Sequence, residues 1–513
     1  MLAKVHALTL SGLEGHLIEV EVDVANGLPA FEIVGLPAII VREAKERVRS
    51  AIRNSGLTFP MQRITVNLAP ADLKKEGPGL DLGIAVGILA ATQQVGNGNA
   101  LARTVFLGEL SLDGTLKGIP GVLPMACTLG AQRDFNTLIL PQANAPEGAL
   151  VEELQVYGAE HLSQVVRHLT KGTELMRSAF AQPETAPGKL PVDFSDIKGQ
   201  ASVKRALEVA AAGNHNIMLI GPPGTGKTML ARALPGIMPD MSFGEALEVT
   251  KIYSVAGMLP PNQPLMQQRP FRSPHHSTTA TGLVGGGRVP KPGEISLANH
   301  GVLFLDELPE FSRDALEALR QPLEDRTITV SRVAAALTYP ARIMVVASLN
   351  PCPCGLASEN GGMDCTCTPL QIARYKSRIS GPLLDRMDIQ IEVPKIPFDQ
   401  LTDDAEGEKS TALKRRVEQA RRIQAARMDG IYAANAEMSA RQVRLFAPLD
   451  RESRELLQKA YQYLNLSARA HAKILKVART IADLAGEPDI NVNHLAEAIR
   501  YRSFDRGSRG VAG

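Results

Sequence analysis

At 513 residues with a formal net charge of +2, the chain is long enough for about three domains. Its near balance of charge excludes any role that relies on bulk positive charge, so a nucleic-acid contact would have to gather cations on one surface. With 44% hydrophobic and 21% charged residues it has the composition of a folded globular protein, not of a disordered one.

The opening Met1-Leu-Ala-Lys-Val-His lacks the basic, apolar, small-residue order of a secretory signal. The longest apolar run, Leu82–Ala91, is far shorter than the ~20 residues that span a bilayer. A cytoplasmic protein with no membrane partner is expected. Within residues 1–172, Leu17–Val24 and Ile64–Leu68 read as strands and Val41–Asn54 as an amphipathic helix stopped at Gly56. Leu82–Ala91 reads as a buried helix, which makes this an α+β domain. Residues 173–192 contain the proline-rich stretch Gln182–Pro191 and read as a linker. Residues 193–398 form a second α/β region. Its apolar runs Ile217–Ile220, Val302–Leu305 and Ile343–Ala347 are continuous rather than alternating, as in parallel strands buried on both faces. Residues 399–513 carry an almost wholly helical pattern.

The strongest chemical signal is Gly221-Pro222-Pro223-Gly224-Thr225-Gly226-Lys227-Thr228, a G-x-x-x-x-G-K-[ST] phosphate loop between a strand-like run and the helical segment Met229–Leu234. Its glycines let backbone N–H groups approach phosphate oxygens. Lys227 is expected on the β- and γ-phosphates of ATP, and Thr228 on Mg2+. The run Val302–Leu305 ends in Asp306-Glu307. Asp306 is expected to hold the Mg2+ shell, and Glu307 to orient and deprotonate the attacking water. Ile343–Ala347 leads to Asn350, read as a sensor of the γ-phosphate. Cys352, Cys354, Cys365 and Cys367 form two C-x-C pairs in the loop 352–367. In a reducing compartment they suggest a closed structural Zn2+ site more than a disulfide, with free thiols as the alternative. Cys127 stands alone and reads as core.

Arg269–Ser277, Pro292–Gly301, Asp306–Glu310, Asn350–Gly355 and Ser380–Arg386 resemble the YifB/ComM family of magnesium-chelatase-like AAA+ ATPases along nearly the whole chain. The resemblance implies an N-terminal Lon-protease-like domain, a central AAA+ domain of the helix-2-insert type and a C-terminal helical lid. It also implies a homo-hexameric DNA helicase that promotes branch migration during homologous recombination and natural transformation. It makes Arg386 the arginine finger, with Arg374 and Arg378 as rivals, and Arg469 the sensor 2 arginine, with Arg479 as the alternative. It points to two pore hairpins, one within 273–291 offering Arg288 and Lys291 to DNA, the other around 328–338 offering Arg332. The absence of Trp favours tracking of the phosphate backbone over base stacking.

Neither Lys75–Leu82 nor Gly118–Pro124 supplies the serine and lysine of a Lon-type peptidase, so the first domain is expected to serve assembly or DNA contact. The basic run Lys414–Arg427 is a further candidate DNA patch, and His275-His276 reads as part of the ATP site or a hairpin. The rival functions are a magnesium-chelatase-type ATPase subunit and a protein remodeller that does not act on DNA.

Overall fold

A computed structural model describes all residues except 76, 78, 97–98, 172–174, 180–191, 261–262, 288–290, 333–334, 358–364, 402–406, 429–433, 465 and 503–513. The chain divides into two compact units, Met1–Ala186 with Phe243–Gln267, and Pro187–Ser242 with Gln268–Gly513. Among the described residues no helix is long and apolar enough to cross a membrane.

The first unit is built on an eight-stranded mixed sheet. Its strands are β1 (Leu2–Ser11), β2 (Glu14–Ala25), β3 (Ala30–Val34), β4 (Arg63–Ala69), β5 (Thr104–Phe106), β6 (Thr137–Pro141), β7 (Gln155–Ala159) and β8 (Arg177–Ser178), in the order β8-β7-β6-β5-β1-β2-β4-β3. In β2 Ile18, Val20 and Val22 are buried while Glu19, Glu21 and Asp23 are not, the period of two that turns alternate side chains to one face. Helices Ile39–Asn54 and Asp81–Ala91 cover that face. Every residue of the second helix is buried, the apolar run Leu82–Ala91 throughout and Asp81 at its start through an ion pair with Arg47 at 2.7 Å.

Two expectations about boundaries change. Arg177–Ser178, placed in the linker by sequence, pairs antiparallel with β7 at the sheet edge. Gln182–Pro191 lies outside the described residues. The helix Phe243–Ala256, expected within the ATPase region, belongs to the first unit and packs on the helix Val122–Gly130. The buried Glu147 carboxylate binds it there, accepting from Ser254 Oγ and from the Leu123 N–H at 2.9 Å.

The second unit holds an all-parallel five-stranded sheet of β9 (Ile217–Ile220), β10 (Phe271–Arg272), β11 (Val302–Leu305), β12 (Met344–Leu349) and β13 (Ile389–Glu392), ordered β10-β11-β12-β9-β13. β9, β11 and β12 are buried along their whole length, which explains their continuous apolar sequence. Helices Ser410–Met428, Ala440–Phe446, Arg451–Leu464, Ala468–Ala485 and Val492–Arg500 follow. Ala468–Ala485 is capped by the Ser467 hydroxyl, packs on Ala201–Gly213 and Ser410–Met428, and ends at Gly486 in the left-handed region.

A buried polar cluster ties this helix to the sheet. Lys473 Nζ lies 2.7 Å from Asp388 Oδ1, the Asn216 N–H donates to Asp388 Oδ2 at 2.9 Å, and His215 Nε2 is 2.8 Å from Thr480 Oγ1. The basic helix 414–427 is not a free cationic face. Lys414 pairs with Asp240, Arg416 with Glu208 and Glu408, and Arg427 with Asp483.

Candidate active site

Three neighbouring parallel strands deliver the expected groups to one place. The phosphate loop follows β9, Asp306-Glu307 follows β11, and Asn350 follows β12. This is the carboxyl edge of the sheet, where open α/β folds bind ligands. Gly221 sits at a close crossing, since a Cβ there would lie 2.4 Å from the Val393 carbonyl oxygen. Gly224 and Gly226 have φ of +78° and +82°, and a Cβ at either would meet nothing within 4 Å. Their backbone therefore borders open space, as a loop that admits phosphate oxygens must. Gly224, Gly226, Lys227, Thr228, Asp306, Glu307 and Asn350, with Pro223, Thr225, Met229, Arg232 and Ser348, line a cleft of about 530 Å3.

Lys227 begins the helix Lys227–Ala233. Its Nζ donates to the Gly221 carbonyl at 2.6 Å, the Pro222 carbonyl at 2.8 Å and Asn350 Oδ1 at 3.2 Å. Burial lowers the pKa of this ammonium, and the charges of Asp306 and Glu307 oppose the shift. Thr228 Oγ1 donates to Asp306 Oδ2 at 3.2 Å. A hydroxyl beside a carboxylate is the oxygen donor set that Mg2+ takes together with substrate phosphates, so the residues present fit the ion.

Glu307 occupies the left-handed region at φ +52°. Its N–H donates to Ser348 Oγ at 3.1 Å and to Asp306 Oδ1 at 3.2 Å, while Ser348 Oγ also donates to Asp306 Oδ1. The buried Ser348 thus joins both acids, a role that its place just after the strand-like run Ile343–Ala347 did not signal. His276 Nδ1 stands 3.8 Å from Glu307 Oε2, and the His275 and His276 rings are 4.0 Å apart. Gln200, which the sequence reading passed over, donates through Nε2 to the Thr225 carbonyl at 2.8 Å and braces the phosphate loop.

Arg386 and Arg469 are not in this cleft. They line a second cavity of about 350 Å3 with Glu324, Asp385, Asp388 and Lys473. It shares no lining residue with the first. Arg386 is buried, bonded to the Pro382 carbonyl at 2.6 Å and paired with Glu324, while exposed Arg469 approaches the same carboxylate at 3.8 Å. The structure therefore separates Arg469 from the nucleotide groups with which the sequence had placed it. The alternatives are occupied elsewhere or open to solvent. Arg479 is buried and donates to Asp483 and to the carbonyls of Pro488 and Glu487. Arg378 pairs with Glu310 at 3.0 Å, and Arg374 is exposed.

Of the expected DNA residues, Arg288 lies outside the described residues. Lys291 is exposed in the short hairpin Gly285–Gly286/Lys291–Pro292. Arg332 pairs with Ala335 across the tip of the hairpin Thr327–Arg332/Ala335–Pro340. Cys352, Cys354, Cys365 and Cys367 come together, with all four Sγ atoms within 4.8 Å of one another.

Three family profiles match in sequence. Residues 20–144 match "Subunit ChlI of Mg-chelatase", 193–401 match "Magnesium chelatase, subunit ChlI" and 407–502 match "Magnesium chelatase, subunit ChlI C-terminal". The chain is 46% identical over 510 residues to the competence protein ComM of Haemophilus influenzae, covering 98% of both proteins. It is 45% identical over 507 residues to YifB of Escherichia coli, again with 98% of both covered. Similarity to the magnesium-chelatase 38 kDa subunit of Rhodobacter capsulatus is 28% over 194 residues, which is 34% of this chain and 55% of that subunit.

Proposed function

Because this chain belongs to the family of magnesium-chelatase-like AAA+ ATPases that includes ComM and YifB, we propose that it is an ATP-hydrolysing, homo-hexameric DNA motor. In this reading it works in the cytoplasm and promotes branch migration during recombination and natural transformation. The observation that carries the ATPase part is the convergence of Lys227, Thr228, Asp306, Glu307 and Asn350 on one cleft. The DNA part is supported by the full-length similarity to a competence protein and by the two hairpins, with Lys291, Arg288 and Arg332 as phosphate contacts. The chelatase reading draws on the three family profiles and on similarity to chelatase subunits over part of the chain. Its test is whether DNA, rather than a chelatase partner, stimulates hydrolysis.

The chain's own groups give the mechanism. Lys227 exchanges its bonds to the Gly221 and Pro222 carbonyls for β- and γ-phosphate oxygens, while the backbone N–H groups of residues 224–228 hold the same phosphates. Thr228 and Asp306 would hold Mg2+, which would supply positive charge to offset that of the phosphates. Asn350, 3.2 Å from Lys227 Nζ, would read the γ-phosphate. Glu307 accepts the proton of the attacking water, its backbone fixed by Ser348 and Asp306.

Arg386 and Arg469 line a cavity that shares no lining residue with the nucleotide cleft, and both are assigned to the neighbouring subunit's ATP. There a guanidinium offsets the charge spread over the transition-state oxygens. The four cysteines are assigned to structural Zn2+. The deciding experiment measures ATP turnover and strand exchange side by side on three-strand and four-way DNA. Wild type should do both and Glu307→Gln should bind ATP and do neither. Turnover indifferent to DNA, with no strand exchange, would reject the DNA reading.

A further inference from the structure

Among the described residues, one group of side chains outside the nucleotide cleft has the makeup of a metal site: Cys352, Cys354, Cys365 and Cys367. Cys352 Sγ lies 3.2 Å from Cys354 Sγ and 3.8 Å from Cys365 Sγ, and the Cys354–Cys365 separation is 3.7 Å. Disulfide sulfurs stand about 2.05 Å apart, so these thiols are unlinked. Four sulfurs at about 2.3 Å from a tetrahedral Zn2+ are separated from one another by about 3.8 Å. Two of the three separations match that edge. The Ala357 N–H donates to Cys352 Sγ at 3.3 Å, the outer bond that steadies a metal-bound thiolate. Cys352 is fully buried and the other three are half-buried. Four protein ligands leave no position for water or substrate, so the metal would have a structural role.

The surroundings of the cluster give that role a direction. Cys352 follows Asn350 by two residues, and Asn350 Oδ1 bonds Lys227. The turn between the first two cysteines is closed by the Gly355 N–H on the Cys352 carbonyl at 3.0 Å. Gly355 has φ +79°, and a Cβ there would lie 2.6 Å from Pro223 Cδ. The cysteine turn thus rests directly on the phosphate loop, with no room for a side chain between them. At the far end Cys367 adjoins Thr368, the cap of the helix Pro369–Lys376. Tyr375 of that helix is buried.

We propose that one Zn2+ held by these four cysteines clamps the Asn350 loop onto the phosphate loop, and that the clamp serves ATP turnover rather than ATP binding. The inference rests on the ATPase reading above. Lys227 and the glycine loop would still grip the triphosphate without the metal, whereas Asn350 would lose its fixed distance from the γ-phosphate.

The test begins with the metal content of the full-length chain purified without chelator. About one Zn2+ per chain is expected. The Cys365→Ser/Cys367→Ser variant should lose the zinc. Its kcat should fall by about 10- to 100-fold, the range seen when the support of a metal-organised site is removed, while its affinity for a fluorescent ATP analogue stays close to wild type. Wild-type protein stripped with a strong chelator should lose turnover and regain it on addition of Zn2+, which covers the case of a variant that misfolds. A chain that holds no zinc and takes none up, one that holds iron instead, or a zinc-free protein with full kcat would overturn the clamp. If wild type hydrolyses no ATP, the ATPase reading fails and the coupling with it. The zinc stoichiometry would still be read separately.

Discussion

Replacing Ser348 by alanine removes one buried hydroxyl that joins the two acids of the site. That hydroxyl donates to Asp306 and accepts the Glu307 N–H at 3.1 Å. Glu307 sits at φ +52°, a region that costs a non-glycine residue about 1–3 kcal/mol and persists only where neighbours impose it. In the variant the Glu307 N–H keeps only Asp306 Oδ1, at 3.2 Å, and Asp306 loses a donor. A hydrogen bond to a charged group is worth about 1.5–3 kcal/mol, and about 1.4 kcal/mol is tenfold in rate. The turnover number should therefore fall by about 10- to 150-fold. Affinity for ATP should change by less than about 3-fold, because the hydroxyl orients the water-activating group and does not touch the phosphates. Steady-state hydrolysis and equilibrium titration with a fluorescent nucleotide read the two quantities separately. An unchanged kcat, or equal losses in rate and affinity, would show that Ser348 does not position Glu307.

Three further predictions follow from the same geometry. Arg386→Ala and Arg469→Ala should each bind ATP normally yet lose about 10^3-fold or more in turnover, as loss of an arginine finger does. Mixing either variant with Lys227→Ala subunits should restore part of the rate, and a mixture as inactive as its components would show that the residues do not act on a neighbour's nucleotide. Lys473→Met leaves buried Asp388 without its ammonium and should destabilise the chain by about 3–5 kcal/mol at neutral pH in denaturant unfolding. Burial alone would raise the Asp388 carboxyl, but Lys473 and His215 outweigh it and hold the pKa well below the usual range. A depressed carboxylate stabilises the fold above its unfolded pKa of about 4 and loses that contribution as pH falls. The Lys473→Met deficit should therefore shrink as pH falls below about 4, and a deficit independent of pH would count against the pair. A fragment of residues 1–186 lacks the helix that supplies buried Ala246, Val249, Ile252 and Tyr253. At about 1.5–3 kcal/mol for each larger apolar side chain, it should melt far below the same fragment joined to 243–267, and equal melting temperatures would refute the dependence.

What the sequence revealed of this site depended on how local the determinant was. The phosphate loop, the acids after β11 and Asn350 are each written in a few consecutive residues. A continuous apolar run followed by a polar group almost dictates a buried parallel strand with chemistry at its carboxyl end. The four cysteines were legible for the same reason. Placement that depends on distant partners was not. Phe243–Ala256 has an ordinary helical pattern, and nothing in it says that its buried face matches Val122–Gly130 rather than the ATPase sheet. The cations of 414–427 were visible, but Asp240, Glu208 and Asp483, which neutralise three of them, lie far away in the chain.

Arg469 is the sharpest case. Its motif gave the residue, while its position is set by the packing of Ala468–Ala485 on Ala201–Gly213 and by the Lys473–Asp388 pair one turn further along. That packing turns Arg469 towards Glu324 and Arg386. The repulsion between two guanidiniums held near one carboxylate is offset only while that carboxylate, or another anion, stays between them. A triphosphate presented by an adjoining subunit would supply such an anion. The pairing with Glu324 is then what a subunit would need while no neighbour's nucleotide is in place.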